Sequence, residues 1–159
     1  MSKNAYFTVQ KCIETFIVIK KSKFISNVSP VNSQEEAEDF IETIRKKYWN
    51  ATHNVYAYTI GMNDDVQKFS DDGEPSGTAG RPIHGQLLSK ELTFVLLVVV
   101  RYFGGIKLGV SGLIRAYKEA SRDALENATI IEKYIKKKFQ VTTRYESINS
   151  VMNILKSDS

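Results

Sequence analysis

At 159 residues, with 42% hydrophobic and 25% charged content, the chain is long enough for one good core and at most a small second unit, and its composition excludes a disordered polymer. The longest apolar run, Leu92–Val100, is too short to cross a bilayer, and the N-terminal MSKNAYFTVQK lacks the apolar centre of a signal peptide, so a soluble, cytoplasmic protein is expected. The formal net charge of +4 divides into +4 over residues 1–32, −3 over 33–129 and +3 over 130–159, a pattern of basic ends that suits either nucleic acid or solvated strand lysines.

The first periodic segment, KCIETFIVIKKSKFISNVSPV, alternates at Ile13, Thr15, Ile17 and Ile19 and again at Phe24, Ser26 and Val28, which predicts a hairpin turning within Lys20–Lys23. Cys12, the only cysteine, excludes an internal disulfide, and with no His or Cys beside it reads as a small core residue. In SQEEAEDFIETIRKKYW, Ser33 and Glu36 form a capping box ahead of Ala37, Phe40, Ile41, Ile44 and Tyr48 at helical spacing. HNVYAYTIG and VQKFS then read as two strands joined by the polar MNDD turn.

SDDGEPSGTAGRP is a loop by its glycines, prolines and acids, and Pro82 falls in the first turn of a following helix that carries Ile83, Leu87 and Leu88. LTFVLLVVV is a strand apolar on both faces, so it needs cover above and below. After a glycine-rich turn, Ser111 is expected to cap a helix packed through Leu113, Ala116, Tyr117, Ala120 and Ala124. Residues 130–146 predict one long basic strand, which must pair with another strand or another chain, and SINSVMNILKS a short helix. The sum is an α+β fold with a mixed sheet and helices mainly on one face, divided into residues 1–128 and a partial unit at 129–159.

KFSDDGEPSGTAGRPI followed by VVVRYFGGIKLGVSGLIRAYKEA, with HNVYAY upstream, resembles the IMPACT/YigZ family over roughly residues 10–128. The resemblance implies an N-terminal domain with the fold called ribosomal protein S5 domain 2-like. It also implies a ferredoxin-like C-terminal domain, of which this chain has room for only the first strand and helix, as in a truncated or naturally short member. It further implies a link to translation, since eukaryotic members of the family look like regulators of translation under amino-acid starvation. A peptidase activity has been ascribed to some bacterial relatives, but His53 and His84 form no H-E-x-x-H pattern, which speaks against a metallopeptidase.

Gly104, Gly105, Gly109 and Gly112 follow the spacing G-G-x3-G-x2-G, which matches neither a P-loop nor a Rossmann fingerprint. Such a turn between strand and helix either aims backbone N–H groups at an anion or merely bends tightly. Lys107 sits within the turn and Arg101, Tyr102 and Arg115 flank it, so those four side chains and Gly104, Gly105 and Gly109 are the candidate phosphate- or RNA-binding set. Asp71, Asp72 and Glu74 either hold a hard cation such as Mg²⁺ or shape their own turn, and for the second case an ion pair from Asp71 or Asp72 to Arg101 or Arg115 is expected. No catalytic residue, cofactor or resident metal is assigned.

The reading is a non-catalytic binding domain whose partner is structured RNA or a translation-associated protein. Membrane is excluded, and self-association through the C-terminal strand stays open. The competing reading is an enzyme acting on a phosphorylated small molecule. It would use Lys107 and Arg115 for the phosphate and Asp72 or Glu74 for Mg²⁺. Under the first reading, Lys136, Lys137 and Lys138 add to the same basic face.

Overall fold

The structure, a computed structural model, describes residues 4–135 and 140–157. In chain order it contains β1 (Ala5–Val9), β2 (Ile13–Ile19), β3 (Ser22–Pro30), α1 (Gln34–Lys47), β4 (His53–Ile60), β5 (Val66–Ser70), α2 (Gly80–Ser89), β6 (Val95–Tyr102), α3 (Gly109–Asn127), β7 (Ile130–Tyr134), a 3-10 turn at Tyr145–Ser147 and α4 (Ile148–Ser157). Five strands form one sheet in the order β2-β3-β6-β4-β5, and β1 pairs with β7 in a separate ribbon.

The expected mixed sheet is corrected: all four pairings in the five-stranded sheet are antiparallel. The reason lies in the crossover through α1. It returns β4 parallel to β3, and β6 then inserts between the two, antiparallel to each. Placed centrally, β6 alternates between two cores. Val95, Leu97 and Val99 join the cluster under α2 and α3, while Leu96, Val98 and Val100 join the cluster under α1. Each such side chain contributes about 1.5–3 kcal/mol relative to leaving it in water, so a strand apolar on both faces is the strand this position demands.

The local signals explain the elements. At the β2–β3 turn, Lys20 and Lys21 adopt φ of +46° and +66°, the pair of positive values a two-residue hairpin of this twist requires. At α1, Ser33 Oγ accepts the Glu36 N–H at 3.1 Å, acids occupy the first turn and bases the last. Ser33→Ala should therefore cost about 1 kcal/mol in urea unfolding, and Ser33→Asp should recover most of it. In α3 the face Leu113, Ala116, Tyr117, Ala120, Ala124 is buried, and alanine at three of these positions lets the helix approach β3 closely enough for Ser26 Oγ to donate to the Ala120 carbonyl at 3.3 Å.

Three further expectations need correction. Cys12 is exposed, because it lies in the connection before β2, where its Sγ meets Ser29 Oγ at 3.1 Å. Ser111 is not the cap of α3: the helix begins earlier at Gly109, whose φ of +77° glycine readily adopts, and no side chain caps it. Among the described residues, the expected C-terminal strand is Ile130–Tyr134, paired in register with β1 from Ala5↔Tyr134 to Val9↔Ile130. Lys136, Lys137 and Lys138 lie outside the described residues.

Candidate functional site: a glycine turn beside a buried ion cluster

The end of β6 and the start of β4 are adjacent, with His53 opposite Arg101. The loop between β5 and α2 folds over this junction, and each of its acids has a separate task. Asp71 accepts the N–H groups of Gly77, Ala79 and Gly80 at 2.9–3.1 Å, thereby capping α2. Asp72 accepts the Asn54 N–H at 2.6 Å and faces Arg45 at 3.7 Å. Glu74 turns inward and is only 7% exposed.

Glu74 is the centre of the cluster. Arg101 Nη1 donates to both its carboxylate oxygens, at 2.8 and 2.9 Å, the Tyr117 hydroxyl donates at 2.8 Å, and His53 Nε2 lies 2.8 Å from Oε1. The expected ion pair between Asp71 or Asp72 and Arg101 or Arg115 is thus corrected. The two signature stretches are tied by Glu74–Arg101, because the two aspartates are already consumed by backbone N–H groups. Burial, followed by the adjacent Glu74 carboxylate, raises the Tyr117 phenol far above its ordinary range, so the hydroxyl stays protonated and donates.

His53 Nδ1 lies 2.8 Å from the Asp72 carbonyl, which can only accept, so that nitrogen carries a hydrogen. The Nε2–Glu74 contact needs one more proton, on the ring or on the carboxyl. Both ring nitrogens are engaged, and neither is left to accept a proton from a substrate. The Arg101 guanidinium carbon lies 5.7 and 5.5 Å from the centroids of the Phe24 and Phe103 rings, and its Nη2 reaches Ser22 Oγ at 3.4 Å.

The glycine turn closes against this cluster. Gly104 donates to Ser22 Oγ at 3.2 Å and lies directly on the Lys21 backbone. Gly105 and Gly109 have open space where a Cβ would stand, and positive φ is their requirement. A cleft of about 380 Å³ opens beside them, lined among others by Thr52, His53, Arg101, Phe103, Lys107 and Gly109. A smaller hollow of about 150 Å³ is lined by Lys20, Leu108, Gly112 and Arg115 together with Glu119. Leu108 lines both.

The seven candidates therefore do not form one site. Arg101, Lys107 and Gly109 line the cleft, Arg115 lines the neighbouring hollow, and Gly104 and Gly105 shape the turn. Tyr102 is on the opposite face, where its hydroxyl donates to Asn50 Oδ1 at 2.9 Å. Reasoning from sequence missed Ser22, Lys20 and Thr52, which carry no motif, and took Tyr117 as packing alone. A signal for Tyr117 did exist: a tyrosine on a buried helical face needs a partner for its hydroxyl. Among the described residues, no group of three His, Cys, Asp or Glu side chains is arranged to hold a metal.

The Impact N-terminal domain matches residues 20–125, two thirds of the chain and the whole of the architecture that builds this site. The chain belongs to the IMPACT family. IMPACT family member YvyE of Bacillus subtilis (strain 168) is 45% identical over 153 residues, which cover 96% of this chain and 70% of that protein. IMPACT family member YigZ of Escherichia coli (strain K12) is 37% identical over 139 residues, 86% of this chain and 68% of that one. The crystal structure of a hypothetical protein superposes with a TM-score of 0.79 at 32% identity, covering 98% of this chain and 76% of the other. In this IMPACT-family chain, the two signature stretches quoted above are the two walls of the Glu74–Arg101 cluster.

Proposed function

We propose that the domain is a non-catalytic binding module of the translation apparatus that contacts the phosphates of structured RNA. The observation that carries this reading is the convergence at one end of the molecule. The 19-residue helix α3 starts there with no side-chain cap and no acid in its first turn, beside Lys107 in the cleft and Lys20 and Arg115 in the hollow. Uncapped N–H groups and three cations together suit a phosphate backbone. The family's association with translation makes RNA the partner of choice.

Two observations favour binding over the alternative, an enzyme acting on a phosphorylated small molecule with Mg²⁺. Glu74 is taken by Arg101, Tyr117 and His53, and Asp72 by the Asn54 N–H and Arg45. His53 has no free nitrogen for proton transfer. The carboxylates that reading needs for Mg²⁺ are already engaged within the protein.

A titration of a labelled RNA hairpin, followed by anisotropy over a range of salt, tests the proposal. The expected affinity is roughly micromolar or looser at low salt and falls steeply as salt rises. Lys107→Ala and Arg115→Ala should each weaken binding for all sequences alike and each lower the salt slope by about one. Lys136, Lys137 and Lys138 changed together to Ala should act similarly if the tail joins this face. Undetectable binding at low salt, or binding indifferent to both sets of changes, overturns the RNA reading in favour of a protein partner.

A further inference from the structure

Helix α1 covers only part of its side of the sheet. It packs on Tyr56 and Tyr58 of β4 and on Leu96, Val98 and Val100 of β6, leaving the edge strand β2 bare. Alternation places Ile13, Ile17 and Ile19 under α3 and turns Glu14, Phe16 and Val18 to the open side, where Phe16 is 61% and Val18 59% exposed. At the rim of the same face, Tyr48 at the end of α1 donates to Glu14 Oε2 at 2.7 Å, and the next residue, Trp49, is 81% exposed.

The charges placed on this side of β2 are mostly basic. Glu14 is the acid on the open side of β2, and Lys47 at 3.1 Å and Tyr48 already engage it. Lys23 lies across from Val18 in the β2–β3 register and holds its ammonium 4.6 Å above the Phe16 ring. Lys20 and Lys21 form the adjacent turn, and Lys46 and Lys47 close α1. A protein helix seeking an apolar groove would meet the Phe16 ring with the Lys23 ammonium over it and the exposed Trp49 beside Tyr48 at the rim. Alternating rings and cations are instead what unpaired nucleotides need, since a base stacks on an aromatic face while its phosphate takes an ammonium.

We propose that this open face, with Phe16 and Trp49 as its stacking groups and Lys21 and Lys23 as its phosphate contacts, binds single-stranded RNA. It rests on the RNA-binding reading above only for the class of polymer. It adds a second surface, which reads unpaired bases by stacking where the α3 end reads backbone charge. A duplex cannot use it, because its bases are stacked on one another.

Trp49 is the chain's only tryptophan, so its fluorescence reports on the proposed stacking surface. Titrating the full chain with an oligouridylate of about 12 nucleotides should quench its fluorescence, the length being that of a typical single-strand site. With labelled RNA and anisotropy, Phe16→Ala and Trp49→Ala should each weaken binding about ten-fold, and Phe16→Tyr should retain it. Both residues are largely exposed, so the variants keep the fold, which circular dichroism verifies. Lys107→Ala with Arg115→Ala should lower hairpin affinity and leave the oligouridylate quench intact.

Quenching without hairpin binding leaves the stacking surface standing and removes the α3 reading. Hairpin binding without quenching does the reverse. An oligouridylate affinity unchanged by Phe16→Ala and Trp49→Ala overturns the proposal. So does a concentration-dependent dimer that Phe16→Ala dissolves, since a second copy would then be the occupant.

Discussion

Arg101→Ala should destabilise the domain by about 3–5 kcal/mol, read as a lowered urea midpoint at unchanged m-value. Arg101 is 5% exposed and Glu74 7%, so removing the cation leaves the Glu74 carboxyl in the interior with only the Tyr117 hydroxyl and the His53 ring beside it. The loss spreads, because the Arg101 Nη2 bond to Ser22 Oγ goes with it, and Ser22 also holds the Gly104 N–H. Arg101→Lys should rescue little. An ammonium cannot offer the planar group that lies near the Phe24 and Phe103 rings and at the same time reach both Glu74 and Ser22.

The double change Arg101→Met with Glu74→Leu should recover part of the loss, since it removes the stranded carboxylate, while the Tyr117 hydroxyl and His53 Nε2 lose their shared partner and keep the variant below the wild type. The coupling energy from the resulting cycle isolates the pair from the packing of either side chain. A cost for Arg101→Ala below about 1 kcal/mol, the range of an exposed ion pair, would show that the cluster is not structural.

Why these partners were not the ones expected from sequence is a matter of competition for acceptors. Asp71 and Asp72 stand first in the acidic stretch, and each was a sound candidate for an arginine. Yet the loop has N–H groups at Gly77, Ala79 and Gly80 with no strand or helix partner, and Asp71 satisfies them. Which carboxylate serves backbone and which serves side chain depends on how the loop turns at Gly73, whose φ is +88°. No periodicity encodes that choice. The elements themselves were legible wherever apolar spacing recorded burial, as in α1, β4, β6 and the buried face of α3. The mixed sheet was misjudged because strand direction depends on where β6 inserts, a long-range event that local pattern does not carry. Tyr102 was placed in the glycine-turn set by its position in the chain, yet strand alternation alone puts it on the face opposite Arg101.

The second large effect belongs to Gly104. A Cβ there would overlap the Lys21 carbonyl carbon and oxygen and stand 2.6 Å from Lys21 Cβ, so the obstacle is backbone and not the tip of a flexible side chain. That backbone has little freedom to retreat, since Lys20 and Lys21 already hold φ of +46° and +66° in a two-residue turn fixed by the Ile19↔Ser22 pair. Gly104→Ala should therefore cost about 3 kcal/mol or more, the upper range of overpacking, with the Gly104–Ser22 hydrogen bond lost as well. Gly105→Ala is the control: its φ is +89° but nothing stands within 4 Å, so only backbone strain of about 1–2 kcal/mol is expected. Hydrogen exchange at the Lys21 and Ser22 amides should accelerate in the first variant and hold in the second. Because Lys20 lines the hollow with Arg115, the displaced turn should also weaken hairpin RNA binding beyond what lost stability explains at temperatures where the variant is still folded. Equal costs for the two alanine variants would mean that the turn yields freely, and the glycine pair would then serve chain direction alone.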